Sequence, residues 1–230
     1  MTNKFLPLII TIADLAARRG VYAPNDAELS ELIKTARGYY NAMLRAVVGL
    51  FNRKIDEFEF VGRISDIIRD QMRRAYNEGL RRIGIDPKNM TSAMQAELSA
   101  LITNEETFAL ALAADILKQR DIEGATSAQF KSRLEVWRNR YDDVANRAAV
   151  TGAEKKGYNL EWRIGATEKS CKTCLKLNGK VATAAQWRIS QYKPQSPPNA
   201  ELECGGWLCD CRLDVTDRAA TVPADGAITI

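Results

Sequence analysis

Residues 130–165 read FKSRLEVWRNRYDDVANRAAVTGAEKKGYNLEWRIG, and the change of period inside this stretch decides the fold. Phe130, Leu134, Trp137, Tyr141, Val144 and Ala148 recur at steps of four, three, four, three and four, which keeps them on one stripe of an α-helix. The stripe is narrow, so the first five of these residues form a seam that packs along another helix of the chain or along a partner subunit. Gly152 and Gly157 mark the fading of the helix. From Leu160 the chain alternates apolar and polar residues as a strand does. The expected architecture is therefore mainly α, with a multi-helix body over 1–157, a small α+β cysteine-rich unit over 158–215 and a tail over 216–230.

Upstream, the pattern stays helical. FLPLIITIA (5–13) is the longest apolar stretch, far short of the roughly twenty residues that a membrane span needs. It reads as a buried first helix stopped at Gly20, and no cleavage site of the export type follows it. Asn25 and Glu28 can start a second helix, whose Leu29, Ile33, Ala36, Tyr40, Met43, Val47 and Phe51 share a face. After DEFEF (56–60), Val61, Ile64, Ile68, Met72, Ala75, Leu80 and Ile83 form another face, with Arg63, Arg69, Arg73, Arg74, Arg81 and Arg82 elsewhere on the same helix. Those six arginines are either a solvated face paired with Asp66, Asp70 and Glu78 or a surface for nucleic-acid phosphates. Gly84 and Pro87 break the helix. A short helix is expected from Thr91 to Leu101, a further one capped by TNEE (103–106), and the seam helix opens at Thr126 or Ser127.

Downstream, the composition shifts. Four of the seven prolines (Pro194, Pro197, Pro198 and Pro223) fall in the last forty residues, and all five cysteines lie between 171 and 211. Asn178-Gly179 reads as a turn between short strands, KPQSPPNAE (193–201) as a loop, and VPADGAITI (222–230) as a flexible tail or a strand lent to a neighbour. The cysteines form two clusters, Cys171-x2-Cys174 and Cys204-x4-Cys209-x-Cys211. A tight turn aims two sulfurs at one point, and a second cluster closes a tetrahedron, which is the logic of a structural Zn2+ site. The chain has no histidine, so four thiolates are the simplest set: Cys171 and Cys174, with Cys209 and Cys211 as the second pair and Cys204 as the alternative ligand. Disulfides would leave an odd cysteine. Few large apolar residues lie between 160 and 215, chiefly Trp162, Leu177, Trp187, Leu202 and Trp207, so a metal would hold this unit together.

Other chemistry finds little support. The absence of histidine removes the Ser-His-Asp triad and the His-x-Glu element of zinc deaminases, and there is no P-loop. No catalytic residue is assigned, and the expectation is a protein that is not an enzyme. With Lys plus Arg at 33 against 29 acidic residues, the net charge is +4, compatible with a nucleic-acid neighbour without demanding one.

The order of these features, a long helix ending ANRAAVTGAEKKGYN, then EWRIGATEKSCKTCLKLNGKV, a proline-containing loop and CGGWLCDCRLDV, resembles the phage head morphogenesis family of minor head proteins. In that family a Trp, an acidic residue and Cys-x-x-Cys, an Asp-Gly turn and a closing Cys-Arg-Cys-Leu follow one another. The matching positions here are Trp162, Glu168, Asn178-Gly179 and Cys209-Asp210-Cys211-Arg212-Leu213. The family's His-Pro before the closing cysteines is absent, and Cys204-Gly205-Gly206 stands in that neighbourhood. The resemblance covers about the last hundred residues. It implies a low-copy virion component, made in the bacterial host cytoplasm, at the portal vertex or inner capsid wall, acting in head morphogenesis and DNA packaging or delivery. Its partners would be the portal or major capsid protein, with packaged double-stranded DNA touched without sequence preference. The rival reading is a zinc-ribbon nucleic-acid-binding adaptor, in which Trp187, Tyr192 and Trp207 would stack bases.

Overall fold

The computed structural model describes residues 36–165, 170–207 and 210–230. The apolar stretch 5–13, Gly20 and the helix start at Asn25 lie outside the described residues. The chain is mainly helical, with a small three-stranded sheet near its C-terminus. Among the described residues four long helices come first: α1 (Ala36–Phe51), α2 (Glu57–Arg82), α3 (Ser92–Gln119) and α4 (Lys131–Lys156). The starts of α2 and α3 have a local cause. Asp56 caps α2 by accepting from the Glu59 N–H at 2.8 Å, with Glu57 and Glu59 in the first turn and Arg81 and Arg82 in the last. Thr91 caps α3 through the Met94 N–H. At its end, α4 closes on Gly157 (φ 67°): the Tyr158 N–H returns to Ala153 O at 2.9 Å and the Gly157 N–H to Glu154 O at 3.1 Å. This pair of bonds satisfies the last carbonyls and requires the left-handed residue that glycine supplies.

Two expectations about the helices need correction. TNEE does not begin a helix, because α3 runs unbroken through it. Glu105, which sequence alone placed in a cap, is 5% exposed and accepts from Trp137 Nε1 at 2.9 Å, with Arg140 Nε at 3.2 Å. A buried carboxylate anchored to α4 outweighs the local capping preference of Thr103 and Asn104. Likewise Thr126 makes no side-chain cap; a 3-10 turn (Ser127–Phe130) precedes α4. The seam closes within this chain: Phe130, Leu134, Trp137, Tyr141 and Val144 are buried in the same core as Tyr39, Met43, Leu50, Ile64, Ile68 and Met72. A partner seam on these residues is excluded by their burial.

Glu105 also makes a pH prediction. Burial raises its carboxyl above the ordinary value, opposed by the Arg140 charge and the Trp137 hydrogen bond. Since the folded value lies above the unfolded one, this contribution is whole below the unfolded carboxyl value and lost as pH rises through the folded one. Glu105→Gln does not titrate there. Its urea midpoint is expected to gain on the wild type as pH rises through the acidic range, whereas the opposite slope would mean that pairing with Arg140 outweighs desolvation.

Beyond α4 the chain forms β1 (Asn159–Arg163), α5 (Lys172–Leu177), β2 (Val181–Thr183), α6 (Ala184–Ile189) and β3 (Arg212–Thr216). The sheet order is β2-β1-β3 and both pairings are antiparallel, with Trp162 opposite Leu213 and Leu160 opposite Ala182. A second core gathers Leu160, Trp162, Leu177, Trp187, Leu202 and Leu213. Trp162 and Trp187 lie 5.7 Å apart between centroids, and Trp187 Nε1 donates to Leu160 O at 2.8 Å. Val150 and Ala153 of α4 belong to this core as well, so the long helix serves both cores. Trp207, expected inside, is exposed.

The Asn178-Gly179 turn joins a helix, α5, to β2 rather than two strands, and the Gly179 N–H (φ 79°) donates to Trp162 O at 2.9 Å. The last residues also depart from expectation. The Thr221 N–H donates to Val181 O at 2.8 Å and its hydroxyl accepts from the Val181 N–H at 3.0 Å, so this segment lines the outer edge of β2. Val222 and Ile228 are buried, and Gln186 Nε2 donates to Pro223 O and Gly226 O. Arg218 adds an ion pair at 2.6 Å to Glu161, which is buried in β1. The tail is part of the small unit's own core, neither loose nor lent.

Candidate metal centre

Three cysteines converge. The sulfurs of Cys171, Cys174 and Cys204 all lie within 4.8 Å of one another. Cys171 and Cys174 are positioned by α5. Cys171 is the residue before its first turn, and its sulfur accepts from the Cys174 N–H at 3.4 Å, as a capping group does. The cap orients one sulfur, while the second, one helical turn on, is buried on the same side. The CKTC segment thus opens α5.

The third sulfur comes from the loop after α6. Asn199 organises it: its amide donates to Gln191 O and Lys193 O, its N–H donates to Gly205 O at 2.9 Å, and its carbonyl accepts from Leu202. Gly205 and Gly206 follow Cys204 with φ of 63° and 78°. Two left-handed residues in succession reverse the chain immediately after the cysteine, and a Cβ on Gly206 would lie 3.0 Å from Pro197 N and from Ser196 C. Glu203 staples the loop to α5: its carboxylate accepts from the Lys172 N–H at 2.7 Å, and its own N–H donates to the Thr173 hydroxyl. The two cysteine-bearing segments are therefore held by bonds that do not involve sulfur.

Electrostatics favour a thiolate here. Burial alone would raise Cys171, but hydrogen bonds from the backbone and thiol of Cys174, and then of Cys204, outweigh it and hold the thiol below its ordinary value. None of Cys171, Cys174, Cys204 and Cys211 is in a disulfide. The cluster has the composition and closeness to hold a metal ion: two sulfurs each about 2.3 Å from a tetrahedral ion stand about 3.8 Å apart.

Two of the four favoured ligands, Cys171 and Cys174, are in the cluster. Cys204, the alternative ligand, joins Cys171 and Cys174. Cys211 is buried at the entrance to β3 in the same small core without belonging to the converged three. Cys209 and Glu168 lie outside the described residues. Short sequence spacing favoured Cys209 with Cys211; among the described residues, the loop brings Cys204 back. The signal that pointed to it was the Gly-Gly pair directly after it.

The arginine-rich face of α2 is largely occupied by ion pairs. Arg63 bonds Glu59, Arg74 bonds Asp70 and Arg82 bonds Glu78, each one turn away, and Arg69 reaches Glu106 of α3 at 2.8 Å. Arg73 and Arg81 are exposed. No helix among the described residues is long and apolar enough to cross a membrane. Compared with protein-family models, curated proteins and solved structures, the chain matches none.

Proposed function

We propose that this chain is a structural minor head protein of a phage, docked at the portal vertex or inner capsid wall, with a zinc-stapled C-terminal unit. One observation carries the reading: Cys-x-x-Cys at the start of α5 and a later cysteine converge in a small unit that follows directly from a long helix, in the feature order of the resembled family. Zinc is the ion that suits a soft sulfur set without histidine. Its ligands would be Cys171, Cys174 and Cys204, with a fourth thiolate from Cys209 or Cys211. Such a site is closed and structural, so it supplies folding free energy rather than catalysis. The helical body would offer the surface that docks onto protein, and the reading assigns no enzymatic step.

The adaptor reading is separated by salt. If the six arginines of α2 bound duplex DNA, the slope of log affinity against log salt would be about −5 from this face, against about −2 if only Arg73 and Arg81 are available. We expect the purified chain to bind a portal or capsid oligomer in a complex that survives high salt, with at most the shallow slope for DNA. A steep slope, with no portal or capsid complex at any salt, would favour the adaptor.

A further inference from the structure

An open sheet ends in two edges whose backbone groups can pair further. In the order β2-β1-β3, the outer edge of β2 is taken by the Thr221 segment of the same chain. Among the described residues no backbone group bonds β3 on its far side. Which groups of β3 point outward follows from alternation along β1. The Trp162 N–H donates to Lys180 O at 3.0 Å and the Gly179 N–H to Trp162 O at 2.9 Å, so Trp162 turns its backbone toward β2. Its neighbours Glu161 and Arg163 therefore turn theirs toward β3, where they stand opposite Asp214 and Arg212. By the same alternation Leu213 and Val215 present their N–H and C=O groups away from the sheet, and the Val215 side chain is 38% exposed.

Charge selects the occupant of this edge. Arg212 and Asp214 flank Leu213 on one face of the strand, 2.9 Å apart, with side chains 47% and 36% exposed. Suppose two copies of β3 lie antiparallel with Leu213 opposite Leu213. The outward N–H and C=O groups of Leu213 then meet, and Arg212 of each copy stands opposite Asp214 of the other. Those charged positions are the non-hydrogen-bonded pairs, where opposed side chains come closest. A shift of two residues either way keeps the outward groups matched but sets Asp214 against Asp214 or Arg212 against Arg212. Of these three registers, one alone brings opposite charges together, so the edge is complementary to a copy of itself.

We propose that a second copy of this chain docks antiparallel along β3, with Arg212 facing Asp214 across a twofold axis and the sheet continuing through both copies. The pairing is independent of the head-protein reading. The test is sedimentation velocity on the full chain, purified without chelator, at rising concentration. Wild type is expected to pass from monomer to dimer. Arg212→Asp and Asp214→Arg, each alone, put like charges in both symmetry-related pairs and should weaken the dimer at least about tenfold. The near-ultraviolet dichroism of the Trp162–Trp187 pair checks that each variant is folded. An equimolar mixture of the two variants restores opposite charges in both pairs and should dimerise again, a result that damage to either fold would not produce. Wild type that stays monomeric, variants that dimerise as tightly as wild type, or a mixture that stays monomeric would each overturn the proposal. Hydrogen exchange supplies a second measurement: the Leu213 and Val215 amides should slow as concentration rises, while the Asp214 amide, directed into the sheet, stays protected throughout. Exchange at Leu213 that is independent of concentration would equally overturn it.

Discussion

Gly79→Ala is expected to lower stability by about 3 kcal/mol, although alanine is the better helix former by about 1 kcal/mol. The reason is the closeness of α2 and α4. A Cβ at position 79 would stand 2.0 Å from Ala145 O and 2.8 Å from Ala148 Cβ. The first of these is backbone, which cannot rotate away, so the helices must separate. That separation would loosen the core that holds Ile68, Met72, Leu134 and Tyr141. Gly62→Ala, in the same helix, is the control: nothing lies within 4 Å of its Cβ, and it should gain up to about 1 kcal/mol. Thermal melts of the two variants should therefore move in opposite directions, with Gly79→Ala lower by about 6–12 °C. Equal melting of the two would mean that α2 and α4 do not approach each other this closely in solution.

Cys204→Ser is expected to abolish metal binding as completely as Cys171→Ser or Cys174→Ser, from about one zinc per chain to none. Serine at neutral pH offers a weak neutral oxygen where the site needs a thiolate. Structural zinc contributes roughly 10–16 kcal/mol of apparent binding free energy in small modules, so its loss should leave the small unit without fixed packing. The tilted Trp162–Trp187 pair reports this directly: its near-ultraviolet dichroism should collapse. The far-ultraviolet helical signal should largely persist, because the helical body has its own core. Mass spectrometry for metal settles the ligand assignment separately from folding, since wild-type protein stripped by chelator supplies the reference for an emptied site. Full zinc content in Cys204→Ser, with loss in a Cys209→Ser, Cys211→Ser double variant, would remove Cys204 from the ligand set.

The arrival of Cys204 beside Cys171 and Cys174 comes from how loops close. Spacing along the chain measures how easily two cysteines share a turn, and by that measure Cys209 and Cys211 are close. What brings Cys204 to α5 is long-range: the Asn199 amide, the Glu203 carboxylate on the Lys172 N–H and two successive left-handed glycines. None of these has a period, so periodicity could not find them. Glu105 makes the same point inside the body. Its sequence neighbours suggested a cap, but Trp137 and Arg140, 32 and 35 positions away, make it a buried anchor.

Read alone, the sequence determined the helical class of the body, the faces of α2 and α4, the change to strand after Gly157 and the confinement of sulfur chemistry to the C-terminal unit. These follow from local rules: a period of 3.6 or 2, a cap, a glycine, a count of cysteines. Only the tertiary structure decided that α3 is one helix, that the seam of α4 closes on this chain, that the tail covers the edge of β2 and that Cys204 joins the sulfur cluster. Each of those depends on contacts between residues far apart in sequence, where packing and hydrogen bonding across elements outweigh the preference of any short stretch.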